Sequence, residues 1–164
     1  MIIVGFDPGL ATLGYGVIEK GASVKAKMID YGIVSTPKDE NLAVRLCMLE
    51  EGVKQIIAKF KPQEIAVEEL FFAKNVTTGI NVAHARGVLL LTAVKECGRL
   101  YEYTPLQIKQ ALTGYGRADK RQIQTMVKTY LGLPSIPRPD DAADALAVAL
   151  CHAQTNRLGK LFSI

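Results

Sequence analysis

The order in which strand-type and helix-type patterns follow one another is the strongest constraint on what this chain can fold into. Three β-type runs come first, Ile2 to Asp7, Gly14 to Glu19 and Val24 to Val34, separated by Pro8-Gly9 and by Lys20-Gly21. Those dipeptides are turn chemistry, so the runs are expected as an antiparallel meander. From Asn41 to Phe60 the residues Leu42, Leu46, Leu49, Val53, Ile56, Ile57 and Phe60 recur at helical spacing, and Pro62 marks the stop. Glu64 to Leu70 reads as a short strand, Asn75 to Cys97 as a long helix ended by Gly98, and Leu100 to Thr104 as a further strand. Helices are expected over Pro105 to Leu112, Lys120 to Leu131 and Asp141 to Arg157, with Pro134, Pro137 and Pro139 punctuating the last connection. Three antiparallel strands extended by two parallel ones through helical crossovers make an α/β protein, a five-stranded mixed sheet with helices on both faces. With 164 residues, the chain has the length of one domain around one core, so residues 1–164 are expected to be a single domain.

Ligands of such sheets lie beyond the carboxyl ends of the strands, which makes acids at those ends the first candidates for chemistry. Asp7 ends the apolar run Ile3-Val4-Gly5-Phe6, where a carboxylate is costly unless paired, hydrated or metal-bound. It also fits as the residue that opens a Pro-Gly turn. Glu68 and Glu69 end Ile65-Ala66-Val67, and because side chains alternate along a strand only one of them can join Asp7. Asp141 and Asp144 are three apart and share a face of an Ala-rich helix. Like charges so placed call for a counter-charge from a partner or a cation. Asp140 or Asp141 also fits as the cap of that helix, with Asp144 favoured near its positive end. Four carboxylates would carry about four negative charges, which two divalent ions would offset, an arrangement suited to phosphodiester hydrolysis. Oxygen-only ligands favour Mg²⁺ or Mn²⁺ over zinc.

Composition narrows the partners. Twenty Lys and Arg against sixteen Asp and Glu give +4, which fits a phosphate-rich partner without requiring one. Hydrophobic residues at 49% and charged residues at 22% exclude a disordered chain. Cys47, Cys97 and Cys151 are odd in number and lack CxxC spacing, so neither a disulfide framework nor a zinc site is expected, and a reducing cytosol is the simplest setting. The N-terminal run reaches Asp7 too soon, and without a basic flank, for a signal peptide, and no stretch is apolar enough to span a bilayer. A cytoplasmic protein without membrane contact is expected. His84 and His152 have no partner at metal spacing and are assigned structural roles, and no Ser-His-Asp set or phosphate-binding Gly-rich loop is evident.

The blocks Asp7-Pro8-Gly9 with Gly14-Tyr15-Gly16-Val17, Ala66-Val67-Glu68-Glu69-Leu70-Phe71-Phe72-Ala73-Lys74-Asn75, and Asp141-Ala142-Ala143-Asp144-Ala145-Leu146-Ala147 resemble the RuvC family of Holliday-junction resolvases. Ala85-Arg86-Gly87-Val88, Lys109-Gln110 and Val127-Lys128-Thr129 extend the resemblance over nearly the whole chain. It implies an RNase H-like fold and a structure-selective endonuclease that makes paired symmetric nicks in four-way DNA, in recombination and repair. The metal ligands it implies are Asp7, Glu68, Asp141 and Asp144, holding two Mg²⁺ per site with Mn²⁺ able to substitute. Glu69 is then a bystander, and Asp140 a reserve ligand or cap. Lys109 and Lys120 match basic positions that matter for activity, Phe71 matches an aromatic that stacks on an unpaired base, and Lys74, Arg86, Arg117 and Arg121 are weaker candidates for contacts to DNA. Phe72 is expected to pack inward. The resemblance further implies a homodimer built on the helix from 75 to 97, with Val82, Ala85, Val88, Leu89, Thr92 and Ala93 available to line it, and cooperation with the RuvA-RuvB branch-migration machinery of bacteria.

Three rivals share parts of this pattern. An actin-like or sugar-kinase ATPase would close two such domains around its nucleotide, and this chain has the length of one. A nuclease of RNA or RNA-DNA hybrids is disfavoured by the blocks just quoted, and a junction binder without catalysis by the presence of all four acids.

Overall fold

The computed structural model describes residues 1–23, 25–69 and 76–155. Strands β1 (Ile2–Asp7), β2 (Thr12–Lys20) and β3 (Ala26–Ser35) form the antiparallel meander. Helix α1 (Leu42–Phe60) returns the chain to β4 (Glu64–Glu68), and α2 (Val76–Glu96) leads to β5 (Leu100–Tyr103). Both β4 and β5 are parallel to β1, and the sheet order is β3-β2-β1-β4-β5. Helices α3 (Pro105–Thr113), α4 (Lys120–Leu131) and α5 (Asp140–Thr155) complete the order. A five-stranded sheet with this order and these directions is the RNase H-like architecture.

Local chemistry sets the helix limits. The Asn41 side chain accepts from the Val44 amide and opens α1, which ends where Lys61 takes a left-handed conformation, φ 47°. Capping boxes open α3 (Thr104 with Gln107) and α4 (Asp119 with Gln122), and Gly114 and Gly132, both at positive φ, close them. The last helix starts one residue earlier than expected. The Pro139 carbonyl accepts from the amides of Ala142 and Ala143, which makes Asp140 the first helical residue rather than the cap.

Each face of the sheet carries its own core. Val4, Phe6, Val17, Ile65 and Val67 pack against α1 and α2, while Ile3, Ile18, Ala66 and Tyr103 pack against α3, α4 and α5. Among these helices α5 lies directly on the strands. A Cβ at Gly5 would sit 2.2 Å from the Ala145 carbonyl oxygen, one at Gly14 2.0 Å from that of Asp141, and one at Gly16 2.7 Å from Leu146. Glycines on the sheet and alanines on the helix therefore set the separation. Attraction comes from the larger buried side chains of α5, Leu146, Val148 and Leu150, each worth about 1.5–3 kcal/mol when fully buried. The consequence for the site is that the first turn of α5 is held over the ends of β1 and β2.

The long helix divides its residues differently from the expectation for an interface. Ala85, Leu89, Thr92 and Ala93 are buried, with Ala85, Leu89 and Ala93 part of the core shared with α1 and the sheet. Among the described residues no helix is long and apolar enough to cross a membrane.

Candidate active site

Alternation along the strands selects the acids. On β1 the side chains of Ile3 and Asp7 face α5, as a Cβ at Gly5 would, and on β4 those of Glu64, Ala66 and Glu68 do the same. Phe6 pairs with Val67 in the parallel ladder, so Asp7 and Glu68 stand side by side at the strand ends. Glu69 falls on the other parity, and its backbone amide continues the pairing with β5 by donating to the Tyr103 carbonyl at 2.8 Å. The first turn of α5 brings Asp141 and Asp144 to the same place. One oxygen each from Asp7, Asp141 and Asp144 lie within 4.8 Å of one another, with Glu68 beside Asp7 at the neighbouring strand end.

These carboxyl groups crowd one another. Burial, then the charges of Glu68, Asp144 and Asp141, hold Asp7 well above the usual carboxylate range. Glu68 is raised by burial and by Asp144, against the opposing influence of Asp7, Lys109 and Lys120. Asp144 is raised by burial, with Lys120 acting against the shift. The donors are all oxygen, three of them converge, and the local charge is negative, which is the environment of a hard divalent cation.

Two lysines border the acids. Lys120, the first residue of α4, lies 3.2 Å from Asp144 and 3.5 Å from Asp140. Partial burial works against its charge, but Asp144 and Asp140 outweigh it and raise the ammonium pKa. Lys109 lines a cleft of about 140 Å³ together with Glu68 and Asp144, walled by Pro105, Ile108, Ile123 and Ala147. Liquid water takes about 30 Å³ per molecule, so this cleft has room for a phosphate group.

Other expected residues divide. Asp140 stands outside the converging group: desolvation, the largest single influence, raises its carboxyl, but the Gln124 amide donating at 3.1 Å and the pairs with Lys120 and Arg138 together hold it below the usual range. Arg117 and Arg121 are exposed on either side of Lys120. Arg86 pairs with Glu102 on β5 and is spent inside the fold. Phe71, Phe72 and Lys74 lie outside the described residues. His152 is structural, as assigned, and it has partners: Glu64 at 2.7 Å and the Tyr103 hydroxyl at 2.6 Å, all buried. Burial holds this imidazole below its usual pKa, opposed by Glu64. Residue patterns alone did not expose the part played by Gln124, or by the glycines under α5. The second had a readable signal, since Gly14 and Gly16 share a sheet face and Ala142, Ala145 and Ala149 recur along the helix that covers it.

A sheet of this order, with acids converging where β1, β4 and the start of α5 meet, defines the class of RNase H-like nucleases. The family model for crossover junction endodeoxyribonuclease RuvC matches residues 3–152, and the chain belongs to the RuvC family. It is 53% identical over 160 residues to the crossover junction endodeoxyribonuclease RuvC of Clostridioides difficile, an alignment covering 98% of this chain and 94% of that one. Among solved structures, Thermus thermophilus RuvC matches at TM-score 0.91 with 37% identity, covering the whole of both chains. The structure of T. thermophilus RuvC in complex with Holliday junction substrate matches at TM-score 0.93 with 36% identity, covering 100% of this chain and 99% of that one. Membership in this family makes the chain a nuclease that uses a divalent metal.

Proposed function

We propose that this chain resolves four-way DNA junctions by paired nicks, that Asp7, Glu68, Asp141 and Asp144 hold two Mg²⁺ ions for the reaction, and that residues 1–164 act as one nuclease domain in the bacterial cytoplasm. The observation that carries the reading is the convergence of these carboxylates in a chain that matches, over its full length, a relative solved in complex with Holliday junction substrate. Bound divalent cations supply Lewis acidity at the phosphate and lower the pKa of water near neutrality. The protein's own groups do the rest. Carboxyl groups held above their usual range must be ionised to act as ligands, so cation binding at Asp7 and Glu68 strengthens as pH rises. Lys109 and Lys120 hold the scissile phosphate as point charges. The pairs of Lys120 are partly exposed, an environment in which an ion pair is worth about 0–1 kcal/mol, so Lys120 turns from Asp144 to a phosphate at little cost. Arg117, Arg121, Lys74 and Phe71 complete the proposed DNA contacts. The test compares a labelled four-way junction with linear duplex of the same sequence, with and without Mg²⁺. Mg²⁺-dependent paired nicks in the junction alone are expected; tight binding without cutting, or equal cutting of both substrates, contradicts the reading.

Two cuts need two sites, and a homodimer with two-fold symmetry supplies them. On α2 the residues Ile80, His84, Gly87, Leu91 and Val94 follow one another at intervals of four and three and are all exposed. Leu91 at 58%, Val94 at 53% and Ile80 at 49% are too apolar and too exposed for a helix that faces only water. This stripe, rather than the buried Ala85, Leu89, Thr92 and Ala93, supports a second copy as partner. Cooperation with RuvA-RuvB is proposed on the family resemblance.

A further inference from the structure

We propose that the recess between the connection from α3 to α4 and the outer face of α4 is a nucleobase-binding site, with Tyr115 as its stacking platform. The inference rests on the junction-cleaving reading above and adds a place for a base of the cleaved strand.

The recess holds about 430 Å³, and Thr113, Tyr115, Arg121, Gln122, Thr125 and Met126 are among the residues that line it. The cleft at the acids holds about 140 Å³. The larger recess has room for a base, and α4 borders both spaces, through Ile123 at the cleft and Arg121 at the recess. Lys120 reaches Asp144 at 3.2 Å, and the next residue, Arg121, rotated by about 100° on the helix, lines the recess. The same turn of α4 thus carries one cation paired with the acids and another lining the recess. Arg117, exposed in the connection, adds a third positive charge on this side.

Tyr115 has the properties of a platform rather than of a stray surface ring. It is 46% exposed, yet fixed from several directions. Its hydroxyl donates to Gln122 Oε1 at 2.9 Å, the same oxygen that accepts the Asp119 amide at 2.8 Å in the capping box of α4. Its amide donates to the Thr113 hydroxyl at 3.3 Å. The following residue, Gly116, lies flat on α3, where a Cβ would come within 2.1 Å of Leu106 Cδ1. The ring is therefore oriented before any ligand arrives, which removes much of the ordering cost of binding. Met126 adds an apolar side chain to the lining, and Thr113, Thr125 and Gln122 add polar ones. Stacking on an aromatic face tolerates any base, so the site suits an unpaired base at a branch point whatever the sequence.

The test uses the whole chain and a four-way junction held uncut with Ca²⁺ in place of Mg²⁺. 5-Iodouracil is placed in turn at the nucleotides flanking the cut phosphate, and irradiated complexes are digested and mapped by mass. A crosslink to Tyr115 from one of these positions is expected on the wild-type chain, independently of how any variant folds. Tyr115→Ala is expected to raise the junction Kd about tenfold, within the range for loss of one stacked base, at an unchanged salt slope. Tyr115→Phe, which keeps the ring but loses the hydroxyl bond to Gln122, falls between wild type and Tyr115→Ala, and Arg121→Ala lowers the salt slope by about one. Absence of a crosslink at Tyr115, or a Kd for Tyr115→Ala within about twofold of wild type, overturns the site. A wild-type chain that does not prefer the junction over duplex instead contradicts the junction-cleaving reading, so the two failures are distinguishable.

Discussion

At the scale of the residue, the acid cluster is a place where stability and function oppose each other. The folded-state pKa of Asp7 is raised, and Glu68 and Asp144 are raised with it. A raised carboxyl contributes stability that is fully present below its unfolded value, near 3.8 for Asp7, and that is lost as pH rises through the folded value. The metal-free protein at pH 7.5 is thus working against its own carboxylates. Asp7→Asn is expected to raise its melting temperature there by a few degrees, about 2–4 °C for each kcal/mol of repulsion relieved, with the gain shrinking toward pH 4. Addition of Mg²⁺ should raise the melting temperature of wild type at pH 7.5 and raise that of Asp7→Asn much less; equal shifts would place the ions elsewhere. His152 acts in the opposite sense. Its depressed pKa contributes stability present above 6.5 and lost as pH falls through the folded value, so wild type and variant are compared at each pH to cancel it. Strand-end position and helical spacing point to these acids in the sequence, but not to the choice between Glu68 and Glu69. That choice depends on the register with β1, which a run of apolar residues does not encode.

At the scale of the element, two glycines give opposite expectations. Gly14→Ala places a methyl group where the Asp141 carbonyl already stands, so α5 must move. Overpacking of this kind costs about 1–3 kcal/mol, and because the displaced turn carries Asp141, Mg²⁺ affinity measured by calorimetry should fall together with the melting temperature. Gly87 on α2 has nothing within 4 Å of where its Cβ would be. Gly87→Ala should stabilise the isolated helix by about 0.5–1 kcal/mol, seen as a higher melting temperature at low protein concentration, while weakening self-association if the stripe is an interface. The order of elements was legible because turn dipeptides and helical periodicity are local signals. The inward face of α2 was not. Apolar residues occupy both its buried and its exposed sides, as Leu89 and Leu91 show, so periodicity alone does not say which side meets the sheet.

At the scale of the whole molecule, the fold places an acid cluster at one end of the sheet and an apolar stripe along α2, and the proposed reaction needs both. Leu91→Asp is expected to leave a folded protein that sediments as a monomer and nicks a junction in unpaired fashion. Paired nicks from a variant shown to be monomeric would remove the dimer from the account. The central claim is that the converging carboxylates hold the metal that cuts junction DNA, and its most direct test is single-turnover cleavage of a labelled four-way junction by wild type and Asp7→Asn in Mg²⁺, with binding measured in parallel. Loss of cleavage in Asp7→Asn with junction affinity kept or improved, as expected when a negative charge beside phosphate is removed, is the predicted result. Cleavage by Asp7→Asn at the wild-type rate would contradict the claim.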